Sequence, residues 1–178
     1  MLRLHEAGGR GGALARIFNT FGPRMHMNDG RMVSNFILQA LQGEPLTVYR
    51  SGSQTRAFRY VSDLVNRLVA LTNSSVSSPV NLENSEEHTI LEFAQVIKTL
   101  LAVGVKFSFF LKPRTKRKRK PDIKKAKLML GLEPVVPREE GLNKAIFYFR
   151  KELESHANNQ YIPKPKPARM KTGQASHN

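Results

Sequence analysis

The chain contains no cysteine, which excludes a disulfide framework, a Cys-ligated zinc and a cysteine nucleophile. No apolar run approaches the ~20 residues of a membrane span, and residues 1–14, with Gly8-Gly9-Arg10-Gly11-Gly12, lack the apolar segment of a signal peptide. Five histidines occur with no His-x-x-x-His pair, which argues against a zinc site. Ser34, Ser51 and Ser53 have no Gly-x-Ser-x-Gly elbow around them. The Gly8 to Gly12 cluster has neither a strand before it nor a helix after it, so it fails the context test for a dinucleotide turn. Taken alone, the residues offer no catalytic acid-base pair. Acidic residues are also scarce: 14 Asp and Glu stand against 29 Lys and Arg, a formal charge of +15 that favours anionic partners and says nothing about fold.

What is present suits one domain or a substantial piece of one, since 178 residues with 40% apolar content can bury a real core. Much of the charge is local. Ten basic residues and one acidic residue lie between Lys112 and Lys127, in a run broken by Pro113 and Pro121. The composition is that of a nuclear-import or nucleic-acid patch, but no aromatic residue is interleaved for base stacking, so a solvated loop is the plainer reading and nucleic acid is not an expected partner.

Periodicity predicts alternating strands and helices. Ala13 to Phe18 reads as a buried strand, 31–42 as a helix stopped by Gly43, and 45–49 and 57–61 as strands. Ser62-Asp63 reads as the cap and first turn of a further helix, and Thr89-Ile90-Leu91-Glu92 has the spacing of a capping box. Residues 79–82 and 105–111 read as strands, the latter at an edge. Asp122 caps a short helix over 123–130 that Gly131 ends, and 137–153 forms the longest helix, with Leu142, Ala145, Ile146, Phe149 and Leu153 on one stripe.

Two loop phrases carry most of the functional information: Arg16-Ile17-Phe18-Asn19-Thr20-Phe21-Gly22-Pro23-Arg24 and Gly52-Ser53-Gln54-Thr55-Arg56-Ala57-Phe58-Arg59-Tyr60-Val61-Ser62-Asp63. In each, strand-type residues adjoin small turn-forming ones and an arginine, which places a planar fork of donors where a phosphate or carboxylate could meet it. Arg31 opens a helix and Arg119 sits just before one. Helix N-termini and loop arginines together suit a diphosphate, although any single arginine is more often an ordinary solvated one.

These phrases, with Val48-Tyr49, Tyr60-Val61-Ser62-Asp63-Leu64-Val65 and Arg119-Lys120-Pro121-Asp122-Ile123, resemble the extended short-chain dehydrogenase/reductase family of nucleotide-sugar enzymes. Asn19 to Met25, the segment 127–134 and the Pro-Lys-Pro-Lys-Pro tail look like its UDP-glucuronate decarboxylase branch, and the likeness covers roughly 15–171. The resemblance implies an α/β chain: the C-terminal substrate-binding portion of an extended SDR Rossmann-type fold, lacking the N-terminal NAD-binding half. It divides the sequence into a disordered lead-in (1–13), a sugar-nucleotide-binding region (14–155) and a disordered basic Pro/Lys tail (156–178).

The implied reaction uses NAD to oxidise C4 of UDP-glucuronate. The resulting β-keto acid loses CO2, and the hydride returns to give UDP-xylose. The resemblance assigns Asn19, Arg31, Tyr49, Arg56 and Arg119 to the substrate, with Arg56 on the diphosphate, and Thr20 and His26 to the cofactor side. It implies a homodimer, a Golgi location in animals and no metal; the chain as given carries no anchor, so by itself it is expected in the cytoplasm.

Departures from the family pattern matter as much. The Gly-x-x-Gly-x-x-Gly turn, the acidic ribose residue and the Tyr-x-x-x-Lys pair are absent, so the expectation is a truncated form inactive alone. The alternative is a basic binding or regulatory fragment, acting through 112–127 or through a full-length decarboxylase homologue. Arg50 stands where the family has Gly, and Glu83, Ser85 and Leu132 replace Gly, Pro and Trp. If residue 50 requires a positive φ, its side chain costs on the order of 1 kcal/mol.

Overall fold

A computed structural model describes residues 2–4, 12–84, 86–111, 122–131 and 133–158. Strand β1 (Leu2–Leu4) lies antiparallel to β2 (Ala13–Ile17), and β2 runs parallel to β7 (Val80–Leu82). The stretch expected to be an unstructured lead-in therefore contributes an edge strand, with Leu2 opposite Ala15. Three two-stranded ladders complete the β structure among the described residues. They pair β3 (Thr20–Phe21) with β6 (Arg59–Tyr60), β4 (Leu46–Tyr49) with β9 (Phe107–Phe110), and β5 (Thr55–Ala57) with β8 (Glu87–Thr89). The first two are parallel and the last antiparallel.

Among the described residues five helices pack on these strands: α1 (Met32–Leu41), α2 (Val61–Thr72), α3 (Ile90–Leu101), α4 (Lys124–Leu130) and α5 (Arg138–Asn158). Sequence punctuation explains several ends. Thr89 Oγ1 accepts from the Glu92 N–H at 3.1 Å while Glu92 Oε2 accepts from the Thr89 N–H at 2.7 Å, the reciprocal box that the spacing predicts. Gly131 closes α4 in the left-handed region at φ 61°. Of the Ser62-Asp63 reading the first turn holds and the cap does not: Asp63 lies in the first turn of α2, which starts from Tyr60 without a side-chain cap, and Asp63 Oδ2 accepts the Val135 and Val136 N–H groups at 3.2 and 3.3 Å. The expected single strand over 57–61 is split into β5 and β6, and its last residue begins α2.

Two apolar clusters hold the elements together. The larger joins Phe36 and Ile37 of α1, Phe93 and Ile97 of α3, Val48 of β4, and Leu142, Ala145, Ile146 and Phe149 of α5. The α5 stripe read from the sequence is thus the buried face, with Leu153 at its margin. The smaller lies beneath β2 and β7, where Leu64, Leu71 and Ala126 meet Ala15, Val80 and Leu82. Phe21 packs edge-on against both Tyr60 and Phe93 at 5.8 and 6.2 Å, which ties the Asn19–Thr20 loop to the larger core.

Candidate functional site

The loop after β2, the start of α1 and strand β5 converge on a cleft of about 340 Å³ lined by Asn19, Thr20, Arg31, Arg56, Phe58 and Ile90 among others. Asn19 is fixed at both ends: its Nδ2 donates to the Ala57 carbonyl at 3.1 Å, and its carbonyl accepts from the Arg59 N–H at 2.9 Å. Thr20 Oγ1 donates to the Phe18 carbonyl at 3.4 Å. Asp29 organises the mouth of α1. Its Oδ1 accepts from the Arg31 N–H at 2.8 Å and from Ser34 Oγ, and its Oδ2 lies 3.4 Å from Arg31 Nε. The Arg31 side chain is 68% exposed and stays accessible from the cleft. The first turn of α1 itself holds no acidic side chain, but the Asp29 carboxylate at its N-cap offsets part of the positive end of its dipole.

Arg56 is presented by a stitched turn. The Gly52 carbonyl accepts from the Leu91 N–H at 3.1 Å, the Gln54 carbonyl accepts from the Ile90 N–H at 3.0 Å, and β5 sets Arg56 opposite His88. Its Nη1 donates to the Thr55 carbonyl at 2.6 Å. A half-buried arginine held this way, facing a second arginine and a helix N-terminus, can bind a doubly charged phosphate group.

Four of the seven sequence-predicted site residues, Asn19, Thr20, Arg31 and Arg56, therefore line one cleft. Tyr49 does not. Its ring lies against Phe110 on the neighbouring strand, centroids 6.4 Å apart. His26 is exposed outside the cleft lining, where its Nδ1 accepts from the Asn28 N–H at 3.2 Å. Arg119 lies outside the described residues, as do Ser85, Leu132 and residues 112–121 of the basic run. The conditional expectation for Arg50 can be answered: its φ is 57°. Arg50→Gly is expected to raise stability by ~1 kcal/mol, read as a higher urea midpoint; an unchanged midpoint would show that the arginine's contacts offset its strain.

A second feature was not foreseen. Arg59, Arg67, Asp63 and Glu83 are all buried, with at most 5% of any one exposed. None of the three guanidinium nitrogens of Arg59 has a hydrogen-bond partner among the described residues, nor does Asp63 Oδ1. Burial pulls the Arg59 guanidinium down to about 10, helped by Arg67 and opposed by Glu83. Burial pushes the Glu83 carboxyl up to about 8 against the opposing charge of Arg59. Arg59 and Asp63 line a smaller cavity of about 190 Å³, walled by Asn84, His88 and the 134–138 segment that leads into α5. The only sequence signal for it was Glu83 in a turn position expected to be glycine. Arg59, on a strand between Phe58 and Tyr60, read as one more loop arginine.

With this geometry in view, comparison with known proteins identifies the class. A model of the NAD dependent epimerase/dehydratase family matches residues 1–82, and solved epimerases share the fold. The UDP-glucose 4-epimerase of Thermotoga maritima, with UDP-glucose, superposes at a TM-score of 0.73 and 28% identity over 79% of this chain and 46% of its own. The UDP-glucuronic acid 4-epimerase of Bacillus cereus, in complex with UDP-glucuronic acid and NAD, does so at 0.72 and 25% identity over 79% and 45%. The chain belongs to this family, the extended short-chain dehydrogenases/reductases, and has part of its α/β fold.

Within the family its sequence is that of the UDP-glucuronic acid decarboxylases. UDP-glucuronic acid decarboxylase 1 of Xenopus tropicalis is 72% identical over 93% of this chain, and that of Danio rerio 71% over 93%. The chain spans 39% and 40% of the length of those two relatives. No helix among the described residues is long and apolar enough to cross a membrane.

Proposed function

We propose that the chain is a UDP-sugar-binding unit of the UDP-glucuronate decarboxylase type, with UDP-glucuronate as its ligand. The observation that carries the reading is the cleft in which Arg31, Arg56 and Asn19 meet at the N-terminus of α1. Arg56 serves the diphosphate, Arg31 the sugar carboxylate, and Asn19, pinned to β5 and β6, the sugar hydroxyls. Its volume falls in the range of small-ligand pockets, ~300–1,000 Å³.

The family's cofactor chemistry is hydride transfer to and from NAD, but the described residues do not make a dinucleotide site. Thr20 lines the cleft with its Oγ1 bonded to the Phe18 carbonyl, His26 lies outside the cleft, and the Gly8 to Gly12 stretch falls outside the described residues. Nor is any tyrosine of the sequence followed four residues later by lysine, so the chain holds no general base of the Tyr-x-x-x-Lys kind. Binding without turnover is the function these residues support, with a homodimer or a longer homologue as the setting in which the reaction would be completed.

Calorimetric titration tests this. UDP and UDP-glucuronate are expected to bind saturably and uridine not to, and Arg56→Ala is expected to weaken UDP about tenfold or more, the worth of a charge-assisted hydrogen bond. Equal affinity in the variant, or no saturable binding, would remove the proposal. Formation of UDP-xylose from UDP-glucuronate and NAD by the purified chain would overturn the claim of inactivity.

A further inference from the structure

We infer that the smaller cavity is a second, separate anion site, which takes a compact oxyanion carrying a proton, of the hydrogen phosphate class. It does not rest on the sugar-nucleotide reading, because only Phe58 is common to the linings of the two cavities.

Three observations converge. Arg59 is 2% exposed, lines the cavity and has no hydrogen-bond partner at Nε, Nη1 or Nη2 among the described residues. A buried guanidinium without acceptors is costly, and an anion with two oxygens on one face is its geometric complement. The cavity also opens at the N-terminus of the 21-residue α5, whose leading segment 134–138 forms one wall, although Glu139 and Glu140 in its first turn offset part of the dipole there. Finally, no carboxylate among the described residues hydrogen-bonds Arg59, although Glu83, Asp63 and Glu133 act on it through space. Asp63 Oδ2 is taken by the Val135 and Val136 N–H groups, Glu86 lies 3.6 Å from His88 Nε2, and Glu83 is largely protonated at neutral pH because burial raises it.

Asp63 Oδ1 sets the proton requirement. It is a buried acceptor in the same lining with no donor among the described residues. Sulfate would bring only acceptor oxygens towards it, whereas hydrogen phosphate brings an O–H that can donate to it while its other oxygens accept from Arg59. Size agrees. About 190 Å³ is room for a small oxyanion and its water.

The probe is inorganic phosphate, titrated into the 178-residue chain by calorimetry and followed by phosphorus NMR, with sulfate at equal ionic strength as comparison. A saturable site is expected that is retained in Arg56→Ala, weakened about tenfold or more in Arg59→Gln, and prefers phosphate to sulfate. The inference is overturned by the absence of saturable binding, by unchanged affinity in Arg59→Gln, or by loss in Arg56→Ala instead; equal affinity for sulfate overturns the proton requirement. Should Arg59→Gln fail to fold, amide exchange in the unaltered chain decides the matter. Phosphate is expected to slow exchange at Val135 and Val136, and no slowing at saturating phosphate would sink the site.

Discussion

Between pH 5 and pH 8 the folded chain is expected to lose a few kcal/mol of stability through Glu83 alone. The carboxyl is 2% exposed, and burial raises it from its ordinary 4.5 to about 8. Within that window the native state keeps a proton that the unfolded chain has released, so rising pH draws the equilibrium towards the unfolded form. The contribution is whole below about 4.5 and gone above about 8. At about 1.4 kcal/mol per pH unit the full window sets an upper bound of roughly 4–5 kcal/mol, and relaxation around Arg59 reduces it. Arg59 itself does not titrate here, since its lowered value of about 10 still leaves it charged in both states. Urea midpoints at pH 5, 6.5 and 8 in phosphate-free buffer measure the slope, and Glu83→Gln, which cannot titrate, is expected to flatten it. An identical slope in Glu83→Gln would mean that other groups carry the pH dependence.

Glu83 also marks the limit of what was legible in the sequence. Helices with a full stripe and a punctuation residue were readable: α3 from its Thr89–Glu92 box, α4 from Gly131, α5 from the residues that became its buried face. The cleft was half readable, because Asn19, Thr20, Arg31 and Arg56 each sit beside a turn or a helix start whose position local chemistry sets. Tyr49 was not, since whether a strand residue faces a ligand or its neighbour depends on a partner strand more than fifty residues away, here β9 with Phe110. The buried Arg59–Asp63–Glu83 group was invisible for the same reason in stronger form. Strand alternation predicts which side a residue takes, but nothing local announces that an arginine at position 59 and a glutamate at 83 will be enclosed together without hydrogen-bonding one another. The same holds for Asp63: its place in the first turn of α2 was readable, but the contact of its carboxylate with 135–136 was not.

The turn that presents Arg56 supplies the largest expected effect of a small substitution. Gly52→Ala is expected to cost about 2–5 kcal/mol, because two penalties act together: left-handed backbone for a residue with a Cβ, ~1–2 kcal/mol, and overpacking, ~1–3 kcal/mol. Gly52 has φ +68°, and a Cβ there would stand 2.8 Å from Val48 Cγ1 and 2.9 Å from Leu91 Cβ. Neither neighbour yields easily. Val48 is fully buried in β4, and Leu91 is in the first turn of α3, held by its N–H to the Gly52 carbonyl. Gly43 separates the two penalties, since it has φ +72° with nothing within 4 Å of its Cβ position, so Gly43→Ala should cost only the backbone part. The same push on Leu91 moves the start of α3 and the turn that presents Arg56, so Gly52→Ala should weaken UDP binding while Gly43→Ala leaves it unchanged. Denaturation midpoints and UDP titrations on the two variants side by side test this: equal losses of stability would show that the turn opens to admit the methyl group, and that its close packing on α3 is not what holds Arg56 in place.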